Sequence, residues 1–112
     1  MKKMKIGLFA VTFLLFGIVF SQEKKLGMIS GFIKDARTKK PLIEAVVTIS
    51  SEKIEGQKLA LTDSLGLYSI KNLPAGYYTI SFEMEGFRKY TKDSILLKEG
   101  MSLGASFEMA HK

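Results

Sequence analysis

The sequence predicts an all-β protein of about seven short antiparallel strands, arranged as a sandwich or a barrel. Three observations carry that prediction. Apolar residues recur at every second position from Leu26 onward, the period of a strand that buries one face and wets the other. Glycine, proline and aspartate interrupt the alternation at short intervals, which is the punctuation of hairpins and sheet corners. No stretch after residue 21 carries the three-to-four spacing of an amphipathic helix.

The amino terminus reads separately. Met1-Lys2-Lys3-Met4-Lys5 is basic, Ile6 to Phe20 is apolar and Ser21 to Lys25 is polar, the order of a cleavable secretory signal peptide. The apolar run of 15 residues is shorter than the roughly 20 that a spanning helix needs. Val19 and Ser21 stand at positions minus three and minus one of a cut before Gln22. The expected division is a signal-peptide helix over 1–21 and one domain over 22–112, with no stable membrane span after cleavage. An uncleaved anchor is the competing reading, because Val19 is a second-rate cleavage residue. With no cysteine in the chain, lipid attachment through a thiol is excluded and the domain holds together without disulfides.

Charge sets a second limit. The formal charge of +6 falls to +3 once the three lysines of residues 1–21 are set aside. The remaining lysines and arginines alternate with glutamates, whereas a nucleic-acid surface gathers them on one face beside stacking aromatics. No nucleic-acid partner is expected. A domain of this size buries roughly two-thirds of the surface its unfolded chain exposes.

The strands follow in order. Ile29, Gly31 and Ile33 form the first inward set, Ala45, Val47 and Ile49 the second, Tyr68 and Ile70 a third. Tyr78, Ile80, Phe82 and Met84 are the clearest, with Thr79, Ser81 and Glu83 on the wet face; Leu103, Ala105, Phe107 and Met109 come last. Weaker strands are predicted at 58–61 and 94–97. Between the first two sets, Ala36-Arg37-Thr38-Lys39-Lys40-Pro41 is a polar connection that Pro41 ends. Asp63 is expected to bond backbone amides within Thr62-Asp63-Ser64-Leu65-Gly66, and Gly66 to supply the positive φ that closes the loop. Pro74 fixes φ and Gly76 frees it, turning the chain into the strand from Tyr77. Gly86 breaks that strand, Phe87 returns its ring to the core, and Ala110-His111-Lys112 reads as a polar tail with an exposed histidine.

These pieces, Gly31, Asp35, Pro41-Leu42, Ala45-x-Val47-x-Ile49, Thr62-Asp63, Gly66-x-Tyr68, Leu73-Pro74, Gly76-x-Tyr78 and Gly86-Phe87, stand in one order over nearly the whole domain. The pattern resembles the carboxypeptidase regulatory-like domain, a transthyretin-like module also found at the front of TonB-dependent outer-membrane receptors. The resemblance implies a single antiparallel Greek-key β-sandwich and an accessory role. Two departures stand in one connection: Lys39-Lys40 where the family has a glycine before the proline, and Ile43-Glu44 where a glycine precedes the alanine. The receptors' plug and barrel have no room in 112 residues, so transport is not the expectation. The family brings no catalytic residues to carry over.

The residues themselves argue against catalysis. A nucleophile needs a base within reach, and the sole histidine, His111, is next to the last residue. Glu83 and Glu85 lie on one wet face about 6–7 Å apart, a glycosidase-like separation with no cleft to go with it. Calcium wants six to eight oxygens, and Asp63 with Ser64 supplies one carboxylate. No cofactor and no metal are expected. Tyr77 and Tyr90 fall out of phase with the inward sets. They are either exposed platforms on which sugar rings could stack or surface rings lying over a neighbouring strand or a lysine stem. Tyr78 is in phase, so its ring belongs to the core and its hydroxyl to a backbone partner. The functional expectation is an exported, non-catalytic module in the periplasm or at the outer face of a Gram-negative cell. Its partners would be envelope proteins bound through a sheet edge; the alternative is polysaccharide bound by Tyr77 or Tyr90.

Overall fold

The computed structural model describes residues 24–112; the signal-peptide expectation lies outside them. The described chain forms eight strands: β1 (Gly27–Asp35), β2 (Val46–Ser50), β3 (Gln57–Leu61), β4 (Leu67–Leu73), β5 (Gly76–Glu83), β6 (Tyr90–Leu97), β7 (Ser102–Gly104) and β8 (Phe107–Met109). Two sheets face each other. In one, β1 lies between β4 and the end-to-end pair β7 and β8; the other runs β3-β2-β5-β6. This is the β-sandwich that the alternation and the turns imply.

Each inward set lands in the layer between the sheets. Ile29, Ile33, Ala45, Val47, Ile49, Tyr68, Ile70, Leu73, Tyr78, Ile80, Phe82, Leu97 and Met109 are buried there together. The register explains the match: Val47 lies opposite both Ala60 and Phe82, and Ile49 opposite Ile80, so one face of three adjacent strands is apolar at once. Burying a side chain of this kind contributes about 1.5–3 kcal/mol.

The last segment departs from an all-antiparallel arrangement. β7 and β8 pair with β1 in parallel, at Met28–Ser102 to Ser30–Gly104 and at Ile33–Phe107 to Asp35–Met109. Between them the chain bows toward β1: the Ala105 amide donates to Ser30 O at 2.7 Å and the Phe32 amide to Ser106 Oγ at 3.0 Å. Gly31 sits beneath that crossing, and a Cβ there would collide with the Ala105 carbonyl.

β6 holds a second irregularity. Its register with β5 shifts between Tyr78 and Ile80, with Ser94 at φ 59°, so one residue bulges out near Asp93–Ser94. A bulge inverts the odd-even rule along a strand. Tyr90 and Lys92 lie opposite Phe82 and Ile80, while Ile95 lies opposite Tyr78.

Candidate functional site

The turn between β3 and β4 is built by Asp63. Its Oδ1 accepts the amides of Leu65 and Leu67, both at 2.9 Å, and its own amide donates to Leu67 O. Gly66 closes the loop at φ 78°; a Cβ there would lie 2.7 Å from Ile33 O. So tight a loop has no interior for a side chain, and Leu65 is 68% exposed. Below it, Thr62 is buried with its Oγ1 donating to Leu42 O at 2.6 Å and accepting from the Ala45 amide at 2.8 Å.

Around this turn the surface is apolar. Leu59, Leu61, Leu65, Leu67 and Phe32 are exposed, Phe32 lying directly opposite Leu67. Of these, Phe32, Leu61 and Leu67 line a cleft of about 600 Å³ between β3 and β4, together with Ala60 and Tyr68.

A second exposed feature lies at the other end of the β5–β6 ladder. Tyr77 is 64% exposed and pairs with Leu96, itself exposed. Beside it is a shallow depression of about 440 Å³ lined by Ser51, Glu52, Thr79, Asp93 and Ser94. Ser51 Oγ donates to Tyr77 O at 2.6 Å and Thr79 Oγ1 to Asp93 at 3.1 Å, so the ledge is held from both sides.

Tyr90 is not a second platform. Its ring stacks on Phe107 at 4.1 Å and on Phe82 at 6.2 Å, closing the flank where β6 meets β8. The bulge at Asp93–Ser94 put it on the inner face, which correct phasing from residues 94–97 alone would have missed. The structure also corrects the tail. His111 bridges to Phe87, its ring lies 4.4 Å from the Phe87 ring, and its Nε2 donates to Asp35 Oδ2 at 2.8 Å. Asp35 further accepts the amides of Arg37 and Thr38. Burial by itself raises the Asp35 carboxyl, but the Arg37 amide, the His111 ring and the Thr38 amide outweigh it and hold the group below its ordinary value of 3.8.

The remaining sequence-selected residues do structural work. The Tyr78 hydroxyl donates to Pro74 O at 2.6 Å, tying the turn that precedes Gly76 to the strand it feeds. Tyr68 donates to Ala105 O. Burial raises both phenols above their ordinary value of 10.0. Pro41 bridges to Lys34 and packs under Gly66. Gly86 accepts the Lys112 amide and lies in the turn that Phe87 N closes on Met84 O. Glu83 and Glu85 are exposed, and among the described residues no three metal-ligating side chains converge. No described helix is long and apolar enough to cross a membrane.

A model of the carboxypeptidase regulatory-like domain matches residues 28–110. The chain belongs to this family. The TonB-dependent transporter Oar of Myxococcus xanthus is 35% identical over 81 residues, which make up 72% of this chain and 8% of that protein. The shared part is therefore a small fraction of the transporter. The Bacillus anthracis TIE protein superposes with a TM-score of 0.65 at 21% identity, over 78% of this chain and 17% of that one. A proposed carbohydrate binding protein from Bacteroides uniformis superposes at 0.59 and 16% identity, over 74% and 40%. At these identities the two structures share the sandwich alone.

The regulatory-like pattern of glycines, prolines and aspartates maps onto turns and crossings, and so it passes over the exposed leucines. Their outward facing follows from the register to β2. Leu59 and Leu61 carry the opposite parity to Ala60, and Ala60 is the residue in register with inward-facing Val47.

Proposed function

We propose that this regulatory-like domain is a non-catalytic accessory module exported to the envelope of a Gram-negative cell, where it works by binding other proteins. The observation that carries this is the set of exposed apolar side chains at the β3–β4 side, of which Phe32, Leu61 and Leu67 line one cleft. Family membership and the likeness to part of a TonB-dependent transporter support an envelope setting. A sheet edge can recruit a partner through backbone groups with few particular side chains. The test is retention of envelope proteins by the immobilised chain, with and without competing polysaccharides. Specific retention that survives the competitors is expected; an absence of retained protein refutes the proposal.

A second function is favoured by a different observation: Tyr77 is exposed beside a polar depression holding Asp93 and Thr79, the pairing of flat ring and hydrogen-bonding groups that suits a sugar. Under it, polysaccharide abolishes retention and Tyr77→Ala removes glycan binding, whereas Tyr90→Ala acts through folding. Association through the β3–β4 side is indifferent to Tyr77→Ala.

A further inference from the structure

Among the described strands that end a sheet, β3 offers a continuous free edge. β6 is interrupted by its bulge, and β7 and β8 are separated by the crossing at Ala105. The start of β4 is occupied, since the Leu67 amide and carbonyl are both taken by Asp63, and its end is irregular, its register with β1 shifting beside Asn72 at φ 61°. Among the described residues no such bond or bulge interrupts β3. Thr62 gives its amide to Ala45 O, so by the alternation of an antiparallel ladder Ala60 and Lys58 also turn their backbone groups toward β2, and those of Leu59 and Leu61 point away from the sheet. The same two residues expose their side chains.

Charge selects the occupant. Within β3 Lys58 is the one charged residue, and the acid that follows it, Asp63, has its Oδ1 already serving the turn. Among the described residues Lys58 meets no carboxylate. An edge lysine discourages pairing with another copy of the same strand, because two β3 strands side by side would gather two cations and no anion. It favours a strand that brings acids.

We propose that the free edge of β3, Lys58 to Leu61, takes an extended partner segment in which apolar and acidic side chains alternate, added as a fifth strand to the second sheet. This rests on the association reading above. The apolar side chains of such a strand continue the face of Leu59 and Leu61, while its acidic ones share the opposite face with Lys58, since neighbouring residues of a strand point to opposite sides.

The test uses the full 112-residue chain, isotope-labelled, and two synthetic peptides, Val-Glu-Val-Glu-Val-Glu-Val and its lysine counterpart. The glutamate peptide is expected to shift the backbone amide resonances of Leu59 and Leu61 and to bind at least tenfold more tightly than the lysine peptide. Lys58→Glu should reverse that preference. Leu59→Pro removes an amide that points away from β2, so it should spare the sheet and abolish binding, while Leu59→Ala weakens binding without abolishing it; melting curves of all three variants check their folding. Equal binding of both peptides, or shifts confined to β6 or to the Tyr77 ledge, overturns the proposal. If the peptides fail while envelope proteins are still retained, only the assignment to β3 falls; if retention fails too, the association function falls with it.

Discussion

Replacing Thr62 by valine should destabilise the domain far more than its conservative shape suggests. Thr62 is 3% exposed, and its hydroxyl ties the end of β3 to the segment that leads into β2: it donates to Leu42 O at 2.6 Å and accepts from the Ala45 amide at 2.8 Å. Valine fills the same volume and removes both bonds. One buried carbonyl and one buried amide are then left without partners, at about 1–3 kcal/mol each, so the expected loss is about 2–6 kcal/mol. Domains of this size have about 5–15 kcal/mol in all. Thr62→Ser keeps both bonds and loses one methyl, at about 1 kcal/mol. Urea unfolding of the three proteins, with the slope unchanged between them, measures the difference. If Thr62→Val proves as stable as Thr62→Ser, the hydroxyl does not carry that junction and the reasoning is refuted.

Three further outcomes are expected. Phe82→Ala, which empties a site 3% exposed and in contact with the rings of Tyr68, Tyr90 and Phe107, should cost about 3–5 kcal/mol, against almost nothing for Ser81→Ala on the other face; equal costs by chemical denaturation would reject the strand's register. Gly66→Ala meets both the positive φ and the Ile33 carbonyl and should lose more than the ~1–2 kcal/mol of left-handed strain alone, while Leu65→Ala beside it leaves the melting temperature unchanged. Because the folded Asp35 carboxyl holds its proton less tightly than the unfolded one, its contribution is full above the ordinary value of 3.8 and is lost as pH falls through the lower folded value. The stability gap between the natural chain and Asp35→Asn should therefore close below that pH, and a gap constant from neutral to pH 3 contradicts the bond set around Asp35.

Much of the sandwich could be read from residues 29 to 83, because β2, β3 and β5 pair with partners whose inward positions follow the same simple parity: Val47 between Ala60 and Phe82 obeys it on both sides. Turn chemistry was equally legible, since Asp63 and Gly66 act on atoms within four residues of themselves. Where the parity is broken, the reading fails. Tyr90 is separated from the alternation of Ile95 and Leu97 by a bulge that no residue type announces. His111 finds Asp35 only because the carboxyl-terminal strand runs beside β1, a pairing that local pattern does not contain. The exposed leucines of β3 required the register to β2, which fixes which face of a short, weakly alternating segment looks outward.

The parallel run of β7 and β8 along β1 sets the order in which this protein can be completed. The bond from Phe32 to Ser106 closes a loop of 74 positions and that from Asp35 to His111 one of 76. Closing loops of that length is paid in chain entropy before any contact rewards it, and non-local pairing slows folding. A chain that emerges amino terminus first has β1 early and can lay β4 against it, yet the other side of that central strand stays open until residues 102–109 arrive. Tyr90 and Phe82 wait for the Phe107 ring over the same interval. β8 is thus a closing clasp: truncation before Phe107 reaches the centre of one sheet and the aromatic flank of the other in a single stroke.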